Sequence, residues 1–226
     1  YDLTGTKPGA FFWPMAQQYR HVIPANPESL ICNHNLFDVH PVGLTAQQVS
    51  ALQAIVNSTL VANFKTFFGR YAGTEGNLKT EVVDVNLLEI PDPRRATQAV
   101  AGKLAAAFAQ LCQRDTGPLV EEEFMDCHSA ERARKLAEKP VGLPTELRQP
   151  DRRALDLAVF ELLGVADARE RERLCDELYR ETAVHFRQIR LVEIQKQEQR
   201  AGVQGREFQT EELAADLWDA LTDEEK

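Results

Sequence analysis

A chain of 226 residues is long enough to bury one large hydrophobic core or two modest ones. Its 35 acidic residues outnumber 26 basic ones, and a formal charge of −9 argues against an extensive basic surface for nucleic acid. No run of about 18 apolar residues could span a bilayer, and the first residues lack the pattern of a secretory signal. Because the chain starts at Tyr1 and its first Met is residue 15, we expect a segment of a longer protein.

The four cysteines are far apart in the sequence and form no C-x-x-C pair. This spacing predicts neither a disulfide framework nor a zinc site, and it favours a reducing cytoplasm. We predict no metal or cofactor site within these residues.

Two stretches of the first 93 residues have the composition of strands. Residues 19–40 alternate apolar and polar positions around a Pro-Asn-Pro turn, which predicts half-buried strands. Residues 78–90 are rich in valine and leucine and predict one or two further strands.

A helix is predicted between these stretches. Thr45 and Gln48 form a capping box, and the apolar residues that follow repeat with helical period over 46–68. Its strongly apolar face is expected to pack against a sheet. Gly69 stands where a left-handed conformation would end the helix.

Beyond residue 93 the pattern is almost entirely helical. Asp92 and Pro93 are expected to open a helix, and the proline-rich residues 114–150 predict a linker-like region with one helix around 119–138. Three later helices are predicted, one capped by Asp151 and closed by Gly164, one from Asp167 to about residue 200, and one over about 210–221. The chain is therefore predicted to be α+β, with a mixed lobe over 1–93 and a helical region over 94–226.

The stretch GRYAGTEGNLK at 69–79 is the strongest candidate for a binding loop. Its glycines lie between a predicted helix and a strand, the reverse of a Walker loop, and the Lys-Ser/Thr pair is missing. A Rossmann fingerprint, a nucleophile elbow and an H-E-x-x-H zinc site are also absent from the sequence. No catalytic constellation was found, so we expect no catalytic residue in this segment.

An ordered series of motifs nevertheless resembles the target-recognition region of N-6 adenine DNA methylases of restriction–modification and phage-defence systems. The series comprises a helix with Asn57-Ser58-Thr59, the glycine loop, and a stretch from Asp84 to the Ile90-Pro91-Asp92-Pro93 ending. Residues 151–200 are similar to the helical C-terminal part of large members. The (Asn/Asp/Ser)-Pro-Pro-(Tyr/Phe) motif and the S-adenosylmethionine-binding loop of the family are missing from this sequence.

The resemblance implies a DNA-recognition segment whose methyl-transferring domain, with its S-adenosylmethionine, lies upstream of Tyr1. Arg70 and Lys79, together with Lys65, could pair with phosphates of double-stranded DNA, and Arg70 could instead contact a guanine edge. Asn77 could contact an adenine edge. A second polar tip is predicted at a strand turn formed by Asn33, His34 and Asn35.

Two alternatives stay open at this point. The glycine loop could be only a solvated turn, and the long helices could dock another subunit of a defence complex. Convergence of Lys65, Arg70, Asn77 and Lys79 on one face would favour DNA recognition, whereas their dispersal beside an exposed apolar patch would favour protein interaction.

Overall fold

The computed structural model describes residues 5–72 and 77–204, and in these residues the protein has an α+β fold. Two small antiparallel sheets pack with eight α-helices in this part of the chain. The first sheet pairs β1 with β3, and the second has the strand order β2-β5-β4. The strands are β1 Phe11–Pro14, β2 Ala16–Gln17, β3 Leu36–Val39, β4 Arg70–Ala72 and β5 Asn77–Lys79.

The prediction of strands throughout residues 19–40 was largely wrong. Only β3 is a strand, and it pairs with β1, which the sequence pattern did not predict. The backbone before β3 follows an irregular path, and the side chain of Asn26 bonds to it. The Asn26 amide donates to the carbonyls of Gly9 at 2.8 Å and Leu30 at 2.9 Å, and its oxygen accepts from the Leu30 N–H.

The helix predicted over 46–68 is in fact two helices, α1 Ala46–Val56 and α2 Thr59–Phe68. The capping box at Thr45 is confirmed. The break falls at Asn57, whose buried side chain exchanges two hydrogen bonds of 2.9 Å with the backbone N–H and carbonyl of Ile23. Ser58 then accepts from the Val61 N–H and caps α2.

The φ of Gly69 is −75°, so the prediction of a left-handed conformation is wrong. A glycine is required here because Leu78 of β5 and the Lys65 carbonyl of α2 lie close to its Cα. A Cβ at this position would lie 2.6 Å from Leu78 Cδ1 and 2.9 Å from the Lys65 carbonyl.

We expect Gly69→Ala to lower the free energy of unfolding by about 1–3 kcal/mol, because β5 would have to move away from α2. Gly102→Ala is the matched control. A Cβ at Gly102, inside a helix, meets nothing within 4 Å, and we expect that change to raise the free energy of unfolding by about 1 kcal/mol. Urea denaturation of both variants tests this, and equal effects would contradict the close-approach explanation.

Residues 78–90 also differ from their prediction, because only the start of the stretch is strand. Its valines form α3, Val82–Asn86. The Glu81 N–H donates to Asp84 Oδ2 at 2.9 Å, which fixes the first turn. Val82 and Val83 are 52% and 58% exposed, so no buried strand face is available to them.

The C-terminal half is helical as predicted, with corrected bounds. Asp92 caps only a 3-10 turn, Pro93–Arg95, and the following helix has its N-cap at Thr97. The single helix predicted around 119–138 is two short ones, and Asp151 lies within the first turn of its helix after Pro150 rather than at the cap. The helices are α4 Gln98–Leu111, α5 Glu122–Met125, α6 Ala130–Ala137, α7 Pro150–Leu162 and α8 Ala168–Gln204.

The long helix predicted from Asp167 is confirmed as α8, and Asp167 Oδ1 accepts from the Glu170 N–H at 2.8 Å. The helix predicted over 210–221 lies outside the described residues. No helix within 5–72 and 77–204 is both long and apolar enough to cross a membrane.

Two hydrophobic clusters join the parts of the chain on either side of residue 93. The first places Phe11, Trp13 and Ile55 in one core with Leu104 of α4 and Leu155 of α7. The second contains residues of the linker-like region 114–150, among them Leu119, Phe124 and Leu147, packed with α8. The division into two regions at residue 93 stays a prediction. Each of the two hydrophobic clusters contains residues from before and after it.

Candidate nucleic-acid interface

The β4–β5 hairpin places three of the predicted contact residues on one face. Arg70 pairs directly with Lys79 across the two strands, and directly opposed residues point to the same side of a sheet. Asn77 lies two residues before Lys79 on β5 and therefore shares that side. Leu78 points to the other side, where it is 4% exposed and lies against Gly69.

Acidic residues immediately after β5 neutralise the two cations of this face. Arg70 Nη2 lies 3.0 Å from Asp84 Oδ1, and Lys79 Nζ lies 3.1 Å from Glu81 Oε1. Arg70 Nη1 also lies 3.5 Å from Glu81 Oε2. The hydrogen bond from the Glu81 N–H and the neighbouring guanidinium of Arg70 lower the pKa of Asp84, which therefore stays ionised.

Lys65 does not belong to this face, and its prediction as a phosphate contact is corrected by its burial. The residue is 2% exposed on the inner side of α2. Its ammonium donates to Gln17 Oε1 and lies 5.7 Å from the centroid of the Trp13 ring. Burial lowers the pKa of Lys65 to about 7.

The predicted polar tip of Asn33, His34 and Asn35 is an exposed turn that leads into β3. Asn33 Oδ1 accepts from the Asn35 N–H at 3.0 Å, which stabilises the turn. Met15 connects this turn to the hairpin, because its N–H donates to the Asn35 carbonyl at 2.9 Å and its carbonyl accepts from the Thr80 N–H at 2.7 Å. The two predicted tips thus belong to adjoining parts of the fold.

The Asn57-Ser58-Thr59 motif lies in the protein interior and is not part of the exposed hairpin face. All three residues are buried. Thr59 donates its N–H and hydroxyl to the two carboxylate oxygens of Asp156 at 2.8 and 2.6 Å. Tyr179 of α8 donates to the same carboxylate at 2.9 Å. The motif therefore joins α2 to α7 and α8.

Sequence reasoning named Asp84 only as the start of a motif and Glu81 not at all, and it predicted neither of their ion pairs with the two exposed cations. The available signal was their spacing of three residues, which is typical of a helix start. Gly73 and Gly76 of the loop lie outside the described residues.

Within the same described ranges, no group of three or more His, Cys, Asp or Glu side chains could hold a metal ion. No protein-family model, curated protein or solved structure matches this chain. The functional argument therefore depends on the chain's own geometry and on the motif resemblance.

Proposed function

We propose that this chain is the DNA-recognition portion of an S-adenosylmethionine-dependent adenine-N6 DNA methyltransferase of a restriction–modification or related defence system, acting in the bacterial cytoplasm. The methyl-transferring domain would lie upstream in the full-length protein. The observation that carries the proposal is the hairpin face with Arg70, Asn77 and Lys79 side by side. Its other side is anchored by buried Leu78.

Such a face has the chemistry that a DNA groove requires. Arginine and lysine pair with phosphates, arginine can bond to a guanine edge, and asparagine can bond to an adenine edge. Because the opposite side of the hairpin is firmly packed, these side chains project from a fixed backbone, which sequence discrimination needs. Each correctly contacted base pair contributes about 1–3 kcal/mol of discrimination.

The positions of the motif residues also support the proposal. Asn57, Thr59 and Asp92 bond to backbone or to buried partners, so they build the lobe and hold it to the helices. The exposed hairpin and turn residues make none of these three contacts, and Asp84 is the motif residue that does bond to the hairpin, through Arg70. Enzymes that share a scaffold but recognise different DNA sequences need this separation of scaffold from contact residues.

No catalytic step is assigned to these residues. Adenine methylation requires the base to be extruded into a pocket, and the sequence lacks both the motif that binds the flipped adenine and the S-adenosylmethionine loop. The upstream domain would supply the pocket, the cofactor and most of the general affinity. This assignment agrees with a net charge of −9, since phosphate neutralisation dominates non-specific binding.

We expect the chain to bind random-sequence duplex DNA weakly at low salt and to lose that binding when Arg70 and Lys79 are both changed to Ala. The slope of log K against log salt should fall by about 1 for each phosphate contact removed. Fluorescence anisotropy at two salt concentrations measures both quantities.

The matched control is Lys135→Ala/Arg173→Ala. It removes the same two charges from exposed ion pairs on α6 and α8 and should leave binding unchanged. Absence of binding at low salt would contradict the proposal, as would an equal loss in the control.

A protein-interaction module is the second candidate, because large apolar side chains are exposed beside the hairpin. Phe67 of α2 is 71% exposed, and Val83 and Leu87 of the α3 region are 58% and 62% exposed. A second subunit of a defence complex could cover them. The same titration discriminates the two functions, because a protein-interaction module should show no DNA binding that depends on Arg70 and Lys79.

A further inference from the structure

We propose that Arg70 is the base-reading residue of the hairpin, that Asp84 is its positioning residue, and that Lys79 contacts only phosphate. The inference rests on the proposed DNA-recognition function and divides its contact face into two roles. It would make guanine the base that this hairpin recognises.

The first observation is the unequal fixation of the two carboxylates. The side chain of Asp84 is 7% exposed and that of Glu81 is 41% exposed. Asp84 is held on one oxygen by the Glu81 N–H at 2.9 Å, and its other oxygen faces Arg70 Nη2 at 3.0 Å. A buried carboxylate bonded on both sides has a fixed position, and it therefore holds one nitrogen of the guanidinium in place.

The second observation is the availability of the guanidinium. The Arg70 side chain is 58% exposed. Asp84 occupies one of its N–H groups, and the 3.5 Å contact with Glu81 is long for a hydrogen bond. The remaining N–H groups can form the bidentate pair with guanine O6 and N7 that a fixed, planar fork favours.

Lys79 lies directly opposite Arg70 but lacks this support. Among the described residues, its ammonium is paired only with the carboxylate of Glu81 at 3.1 Å, and both side chains are 41% exposed. A flexible, compact cation suits a phosphate, which demands charge but little geometry. The two neighbouring cations are thus equipped for different parts of the duplex.

The test is selection from a randomised duplex library at low salt with the full chain, followed by anisotropy on the enriched sequence and on single-base variants of it. The wild-type chain should enrich a guanine at one position. Arg70→Lys should reduce the preference for that guanine by roughly tenfold, while affinity for random duplex stays within about twofold because the charge is kept.

Asp84→Asn should relax the same position and no other, since its effect acts through Arg70. Lys79→Ala should weaken all sequences equally and lower the salt slope by about 1. Arg94→Ala is the control, because Arg94 is another exposed arginine paired with an aspartate, Asp92, at 2.9 Å. It should change neither quantity.

The outcomes separate the two levels of the argument. If the wild-type chain binds no DNA, the proposed function fails and the inference with it. If the chain selects a sequence but Arg70→Lys keeps the guanine preference, or Lys79→Ala relaxes it, only the division of roles is overturned. If Asp84→Asn does not fold, Arg70→Lys still decides the point, because Arg70 is exposed and its removal leaves no buried cavity.

Discussion

Replacing Glu146 with alanine is expected to lower the free energy of unfolding by about 3–5 kcal/mol, since it leaves a buried cation without its carboxylate. The side chains of Glu146 and Arg152 are each 1% exposed, and Arg152 Nε donates to Glu146 Oε1 at 2.9 Å. The other oxygen of Glu146 accepts from Arg114 Nη1 at 2.6 Å and from the Gly117 N–H at 2.8 Å. Arg152 also donates to the carbonyl of Asn57, so the network reaches the α1–α2 break.

The pH dependence of stability provides a second sign of the same network. Burial raises the pKa of Glu146, but Arg114, Arg152 and the Gly117 N–H outweigh it, and the folded-state pKa lies below the ordinary value of 4.5. The carboxylate therefore contributes stability that is complete above pH 4.5 and is lost as the pH falls through the lowered pKa. The alanine variant should lack this contribution.

Urea denaturation at pH 7 and between pH 3 and 5 measures both effects. Glu131→Ala is the control, because Glu131 is 74% exposed in its ion pair with Lys135, and exposed pairs contribute less than about 1 kcal/mol. A loss of similar size in the two variants would contradict the buried-cation argument. Glu146→Gln, which keeps the shape and removes the charge, should lie between them.

Glu146 also shows why composition misrepresented residues 114–150. Prolines and charges are typical of linkers, yet Leu119, Val120 and Leu147 are each 2% exposed or less. Many of the charges are used internally, as in the pair of Arg187 with Glu121 at 2.6 Å. Composition counts charges but does not identify their partners, and the partners decide whether such a segment is solvated or packed.

The helices whose signals are local were predictable. The capping box at Thr45 and the Asp167 start of α8 depend on residues three apart, and both are confirmed. The break at Asn57 depends on Ile23, which is distant in sequence, so an unbroken apolar period concealed it. At α3 the local helix signal is present in Glu81 and Asp84, but the β-propensity of the valines predicts a strand there.

The residues of the hairpin face were named as contacts of a glycine loop, whereas the shared side of Asn77 and Lys79 follows from strand β5, which the sequence pattern predicted only from residue 78. The ion pairs of this face were not predicted, since they depend on α3 being a helix. Lys65 could have been placed correctly, because it lies four residues after Val61 and three after Ala62, on the side of α2 that is buried. Its charge suggested a surface position that its helical period excludes.

Lys65→Met is expected to raise the free energy of unfolding by about 1–3 kcal/mol at pH 6–7, because it removes a buried charge while keeping the unbranched apolar stem. Lys65 is paired with no carboxylate in the described ranges 5–72 and 77–204. Within those ranges its polar partner is the Gln17 amide oxygen, which is neutral, and the Trp13 ring lies beside it. The gain in unfolding free energy is expected to be smaller than the desolvation cost of the ammonium, since the Gln17 amide oxygen loses its hydrogen-bond donor.

The sign of the pH dependence follows from the lowered pKa. Lys65 titrates near 7 in the folded chain and near 10.5 in the unfolded chain. Between these values only the unfolded chain carries the proton, so the stability of the wild-type protein rises with pH through this window. Below pH 7 the full cost of burying the ammonium is present. The advantage of Lys65→Met should therefore be greatest at pH 6–7 and should decrease toward pH 10.

Denaturation of the wild-type and variant proteins between pH 6 and 9 decides whether desolvation or the Trp13 and Gln17 contacts dominate at Lys65. Lys135→Met is the control, because Lys135 is 72% exposed and should change stability little at any pH. A pH-independent loss of stability in Lys65→Met would mean that the contacts outweigh the cost of burial. A gain that decreases as the pH rises would mean that the cost dominates. Gln17 lies in β2, which pairs with β5. The buried charge of Lys65 would then destabilise the sheet that carries Arg70 and Lys79.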